Sequence, residues 1–347
     1  MIKKLKTWSR FLTDRPLPDG EHTYLGDALD TEKFVPPLSQ TSLDVRAGWV
    51  LPSNMLSTEF EDREQWAFNQ YAWVCLRIDQ KKLPQKLYAA EVKSRTKAWC
   101  SAANRERAPL SVKTEIAEQV KLDMAPNVLP TTTLVPVMWD HVTGVVYVGT
   151  HSPVALDLVR KTFFRTFSLM LTPAEVGCFP QVALDAWFQG DLPTSCAADL
   201  MKWVWYRAAE TSFLGTTWWL GTKLVLTETS EKSPSLTVKG DNVSTDKGAA
   251  AALKANWQVR SMDLCAKADD REYGFTLTPD LRIAQARLPV LIKTGDMAEQ
   301  LYERMFLIED LTHHLGLLVQ EFVAIRSRPD AWQAYLEVST PWVEGRT

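Results

Sequence analysis

The sequence predicts an α+β fold with mixed or antiparallel sheets, a helical finger and a long C-terminal helix. Three observations carry that prediction. A β-branched and aromatic run at Ala72–Ile78 leads into two amphipathic helical stretches and then a hairpin, which differs from the strand–helix alternation of a parallel βαβ series. Strand-like runs recur at Trp218–Thr227 and at Trp257–Leu264 with Tyr273–Thr278. Apolar residues recur at helical spacing from about Met297 to Arg326. The 347 residues are 46% hydrophobic and 23% charged, with 15 Gly and 19 Pro, a globular composition that excludes disordered and collagen-like classes.

In chain order, residues 1 to 50 read as irregular and proline-punctuated. Ala72–Ile78 is a strand. Pro84 suits the first position of a helix running to about Ala102, because the amide it lacks would be unpaired there anyway. Ser111 reads as the N-cap of a second helix, about Val112 to Met124, with Val112, Ile116 and Val120 at i+4 spacing. Arg105 and Arg107 lie in the connection. Leu134–Trp139 and Val145–Val148 flank Asp140-His141-Val142-Thr143-Gly144, a hairpin signal. Ser152-Pro153 then marks a helix start, with Leu156, Val159 and Phe163 on one side. The second half contains the helix Ala197–Arg207, strands at Trp218–Thr227 and Ser235–Val238, a polar loop over Thr229–Thr245, and a short helix from Ala249 to Ala255. These readings divide the chain into 1–170, with a basic helical finger at about 84–126, then 171–328, and a tail at 329–347.

Charge is unevenly placed. The formal net charge is −3, yet between Leu76 and Lys121 eleven basic residues face five acidic ones, so this segment is +6 and the remainder −9. That is the electrostatic footprint of a chain whose one surface meets phosphate. At 100° per residue, Lys86, Lys93 and Lys97 fall within about 40° of one another, opposite Tyr88, Val92 and Trp99. The candidate DNA contacts are Lys86, Lys93, Arg95, Lys97, Arg105, Arg107 and Lys113, with Arg95 angled toward the apolar side.

Other chemistries find little support. The five cysteines (Cys75, Cys100, Cys178, Cys196, Cys265) form no Cys-x-x-Cys pair and read as buried thiols. His313 and His314 point about 100° apart on a helix, poorly placed to share a metal. No phosphate-binding loop, dinucleotide turn or nucleophile elbow occurs, so no cofactor and no small-molecule substrate are expected. Met1–Lys6 is charged and no apolar run reaches the ~20 residues of a membrane helix, which predicts a cytoplasmic chain without a secretory signal. Asp79 followed by Glu91-Val92-Lys93 matches a loose nuclease spacing for Mg²⁺, but within a helix Glu91 and Lys93 diverge by about 200°. Trp203, Trp205, Tyr206, Trp218 and Trp219 would either stack on bases or fill a core or an interface.

The order of short motifs is itself informative. Gly48-Trp49-Val50-Leu51-Pro52, then Leu83-Pro84 heading a helix with Glu91-x-Lys93, then Lys113-Thr114-Glu115 leading to Leu129-Pro130, then Met138-Trp139-Asp140 with Thr143-Gly144, resembles the RdgC family of bacterial recombination-associated DNA-binding proteins. Ala250–Trp257 and strands ending near Leu288-Pro289 are similar to the family's C-terminal half, so the resemblance spans about residues 20 to 320. It implies a homodimer closed as a ring around double-stranded DNA, nucleoid-associated, with a basic channel, no catalysis, little sequence preference and a restraining effect on recombinase filaments. The chain departs from the family in three places. A basic and aromatic run expected after Leu129-Pro130 is replaced by Thr131-Thr132-Thr133-Leu134, which bears on a fingertip contact, and both Trp203–Arg207 and the residues beyond Pro329 are unlike the family pattern. Besides DNA binding, the residues leave open a protein-interaction module acting on a recombination or nuclease partner through the tryptophan-rich face.

Overall fold

The computed structural model describes every residue except 1–4, 16, 18–23, 37–42, 174–193, 209–214, 229–233, 242, 280, 291–295 and 345–347. In chain order its elements are β1 Ser9–Thr13, α1 Leu25–Thr31, β2 Arg46–Val50, β3 Ala67–Phe68, β4 Tyr71–Gln80, α2 Gln85–Ala102, α3 Leu110–Met124, β5 Thr131–Asp140, β6 Val145–Val148, α4 Pro153–Phe167 and β7 Leu171–Pro173. They continue with α5 Thr194–Arg207, β8 Thr216–Thr227, β9 Ser235–Lys239, α6 Lys247–Lys254, β10 Gln258–Ala268, β11 Arg271–Leu277, β12 Ile283–Arg287, α7 Met297–Arg326 and α8 Pro329–Glu344. The fold is α+β, and the strand pairs described below are all antiparallel. Two compact units share the chain discontinuously: Arg15–Gly144 with Ser152–Met170, and Met1–Asp14 with Val145–His151 and Leu171–Thr347.

In the first unit β4 is central, with β2 and β3 along one side and β5 along the other. Eight of its ten residues are buried, as expected of a strand covered on both faces. Helix α4 opens where the sequence predicts it: Ser152 Oγ accepts from the Ala155 amide, and Pro153 takes the first helical position. Its apolar stripe of Leu156, Val159 and Phe163 packs inward. Trp139 lies 5.2 Å from Phe163 and 5.0 Å from Phe167 between ring centroids, and Trp49 Nε1 donates to Thr166 Oγ1 at 2.7 Å. The irregular reading of residues 1–50 is corrected: they carry β1, α1 and β2. These elements are five to seven residues long, too short for periodicity to declare, and long-range bonds hold them. Phe34 N–H reaches Trp49 O, and Trp49 N–H reaches Glu32 O, each at 2.9 Å.

In the second unit β1 lies between β6 and β7, and a separate sheet runs in the order β12-β11-β10-β8-β9. Helix α7 carries the expected long stripe, with Leu301, Met305, Ile308, Leu311, Leu315, Leu318 and Phe322 buried, and Asp296 caps it by accepting from the Ala298 amide. No helix among the described residues is long and apolar enough to cross a membrane. Trp203, Trp205 and Trp218 are buried, and Trp203 lies 5.7 Å from Phe322. These three tryptophans are core, whereas Tyr206 and Trp219 are half-buried. Residues from Pro329, read as a tail, form α8, because proline ends one helix yet is tolerated in the first turn of the next. Cys75 and Cys265 are buried as expected, whereas Cys100 is half-exposed. Cys178, the side chain of Cys196 and residues 229–233 of the polar loop lie outside the described residues.

A polar network joins α7 to the sheet. Asp310 accepts from Tyr273 Oη and sits 3.4 Å from Arg271 and 3.8 Å from His314, whose Nδ1 lies 2.9 Å from Thr216 Oγ1. Burial lowers the His314 pKa below its ordinary 6.5, with Asp310 opposing, His313 and Arg271 adding to the decrease, and Asp269 weakly opposing. A lowered folded value means that the unfolded chain binds the proton more readily, so this contribution is present above pH 6.5 and is lost as pH falls through 6.5. Urea unfolding should therefore show stability decreasing from pH 7.5 to 5.5, with a shallower slope in His314→Gln. Gly48 offers a second test. A Cβ there would stand 2.4 Å from Phe34 Cα and 2.6 Å from Phe34 N, both backbone atoms. Gly48→Ala should cost about 3 kcal/mol in denaturant unfolding, since the strand must move aside.

Candidate nucleic-acid interface

Strands β4 and β5 pair without interruption from Tyr71↔Asp140 to Gln80↔Thr131. Helices α2 and α3 are the connection between those strand ends, so the sheet edge continues as a helical hairpin. Lys81 Nζ donates to Ala125 O at 3.0 Å across its base. Pro84 stands one position earlier than predicted, as the residue flanking α2, and its carbonyl accepts from the Tyr88 amide at 2.9 Å. Helix α3 starts at Leu110, and Pro109, with φ −57° and its carbonyl taken by the Lys113 amide, fills the place expected of Ser111. Proline's fixed φ is already helical, so the helix extends back past the serine.

The two helices cover only one another. Tyr88 Oη donates to Ala117 O at 3.2 Å, Val120 is buried, and no residue of α2 is fully buried. Tyr88, Val92 and Trp99 are half-buried, as their shared face predicts. At the tip, Asn104 has φ +49°, the Asn104 amide bonds Ser101 O, and the Arg105 amide bonds Cys100 O at 2.9 Å. That pair of bonds is a Schellman stop, and asparagine tolerates the left-handed backbone it requires. Leu129-Pro130 and Thr131–Thr133 sit at the base of the hairpin, opposite Gln80, Asp79 and Ile78, so this segment is not its tip.

The candidate contacts separate into two groups. Lys86, Lys93 and Lys97 are exposed along one face of α2, Arg105 and Arg107 are exposed at the tip, and Lys113 is exposed in the first turn of α3. None of these six side chains makes an ion pair or hydrogen bond among the described residues. At the tip, Arg105, Arg107, Lys113 and the positive end of the α3 dipole coincide, with Glu106 the opposing charge. Arg95 differs. Its Nε donates to Glu91 Oε1 at 2.8 Å and its guanidinium to Asp123 Oδ2 at 2.5 Å, clamping α2 to α3. These bonds raise the Arg95 pKa and lower that of Asp123.

The nuclease arrangement does not assemble. Glu91 is held by Arg95, and Glu91 and Lys93 point apart on α2. Asp79 is buried, bonded by Arg77 at 2.7 Å and by Thr132 Oγ1 at 2.8 Å. Among the described residues no three His, Cys, Asp or Glu side chains form a metal-binding group. Sequence reasoning missed the Asp123 clamp, because its partner lies 28 residues away and only the hairpin brings the two together.

A family model described as "Putative exonuclease, RdgC" matches residues 7–200. No curated protein sequence matches the chain. Because Arg95 holds the helices together while Lys93 does not, Arg95→Gln should accelerate amide hydrogen exchange in both α2 and α3, and Lys93→Gln should leave it unchanged.

Proposed function

The chain belongs to the RdgC family, and from that premise we propose that it binds double-stranded DNA through the α2–α3 hairpin, without sequence preference and without catalysis, to restrain homologous recombination. One observation carries the reading: six uncommitted cations are displayed on a protruding hairpin of a chain whose net charge is −3. Lysine and arginine side chains at phosphates release counterions and read no bases, so affinity follows salt concentration rather than sequence. Helix α2 presents Lys86, Lys93 and Lys97 in a row along a groove wall or backbone, and Arg105, Arg107 and Lys113 extend the row around the tip.

A homodimer closing around the duplex, nucleoid association and an effect on a recombinase filament are parts of the same proposal, drawn from the family. The tryptophan-rich protein-docking alternative keeps less surface than its composition suggests, since Trp203, Trp205 and Trp218 are buried, while Tyr206 and Trp219 are half-buried.

Six phosphate contacts give a log–log salt slope near ~−5, a loss of about 10³ in affinity between 50 and 200 mM salt. Anisotropy titrations of a ~30-base-pair duplex should return that slope for any sequence, and Lys86/Lys93/Lys97→Glu should abolish binding at 100 mM salt. Binding indifferent to these substitutions would sink the assignment. Fragments appearing in Mg²⁺ but not in EDTA would establish a nuclease instead.

A further inference from the structure

We propose that a cavity of about 310 Å³ in the second unit, walled by α5, α6 and α8, binds a nucleotide: a planar base carrying a phosphate. Its lining joins the two segments that depart from the family pattern, Trp203–Arg207 through Tyr206, and the helix beyond Pro329 through Trp332 and Tyr335. Only Asp199 among the lining residues falls within the matched residues 7–200. Leu253, Lys254 and Asn256 of the lining fall in Ala250–Trp257, so the site combines two segments that depart from the family pattern with one that resembles it.

Aromatic rings form one wall. Trp332 and Tyr335 lie 4.8 Å apart at 32° between planes, and Tyr206 meets Tyr335 edge-on at 5.6 Å. Trp332 and Tyr335 occupy one another's faces, so this cluster offers a planar ring the aromatic edges and remaining faces that border the cavity. Charge selects the rest of the ligand. The cavity's one carboxylate, Asp199, is occupied by Arg326 at 3.2 Å, and the same guanidinium covers Trp332 at 4.7 Å, so the place a cationic ligand would take is filled from within. Lys202 and Lys254 also line the cavity and have no ion-pair or hydrogen-bond partner among the described residues. Two free ammonium groups beside neutralised acid favour an anion. Polar edges of a base find Asn256 at the same walls, beside the Tyr335 hydroxyl, which is hydrogen-bonded to Ser339. The combination of stacking surface, hydrogen-bonding groups and two cations matches a nucleotide better than a carboxylate-rich peptide, which needs no aromatic wall.

The site is separate from the hairpin and does not rest on the duplex-binding proposal. Its test uses the full chain carrying Lys86/Lys93/Lys97→Glu, so that the hairpin does not report. Calorimetric titration with thymidine monophosphate should saturate, and thymidine, lacking the phosphate, should bind roughly tenfold or more weakly. Lys202→Gln/Lys254→Gln should weaken the monophosphate to a similar degree with an unchanged circular-dichroism spectrum. Tighter binding of (dT)₁₀ than of the monophosphate, lost in that double variant, assigns the site to single strands; equal or weaker binding assigns it to free nucleotides, and both support the proposal. Absence of saturable binding, equal affinity for thymidine and its monophosphate, indifference to the lysine changes, or preference for an acidic tyrosine-bearing peptide would overturn it.

Discussion

The antiparallel ladder between β4 and β5 fixes the position of every charged group proposed above to meet DNA. Because the strands pair to their last residues, Gln80 and Thr131 are held side by side, and the chain between them must leave and return at one point of the sheet edge. Two helices of similar length meet that requirement. The ladder in turn depends on the Trp49, Trp139, Phe163 and Phe167 cluster, which covers the sheet beneath α4. Hydrophobic burial in the sheet thus anchors a hairpin that buries little apolar surface itself.

That division of labour explains why the hairpin can be so strongly charged. A helix packed into a core has few positions to spare for lysine, whereas α2 contacts one neighbour and leaves most of its circumference in water. The acidic residues on the hairpin are not spread evenly against the basic ones. Glu91 and Asp123 are drawn together by Arg95, Glu118 pairs with Lys121, and the α2 lysines and tip arginines stay unpaired. Local neutralisation on one side preserves positive potential on the other.

Where local rules dominate, the sequence was readable. Pro84 and the lysine spacing gave α2, Ser152-Pro153 gave α4, and the stripe from Leu301 to Phe322 gave α7. Where partners arrive from far along the chain, it was not. Ser111 has every local mark of a cap, but Pro109 preorganises the helix two residues earlier. Strand β2 is defined by what flanks it, β4 on one side and residues 32–34 on the other. For the proposed site, the exposure of six of the seven cations was legible from their spacing. The diversion of Arg95 into a clamp, and the meeting of Tyr206 with Trp332 and Tyr335, required tertiary structure. Tryptophan clustering was ambiguous for a physical reason: the same large aromatic surface serves a core and a binding face equally.

The long connection between β4 and β5 also bears on how the chain reaches its native state. Joining Gln80 to Thr131 across about fifty residues of flexible chain would cost ~2 kcal/mol more loop-closure entropy than a five-residue turn. Helix formation and helix pairing involve near neighbours and occur within microseconds, well before distant strands find their register. Once α2 and α3 lie antiparallel, the effective distance between the strand ends shrinks to that of a tight turn. An antiparallel α2–α3 pair thus lets Gln80 and Thr131 meet at a closure cost set by a short turn rather than by about fifty residues.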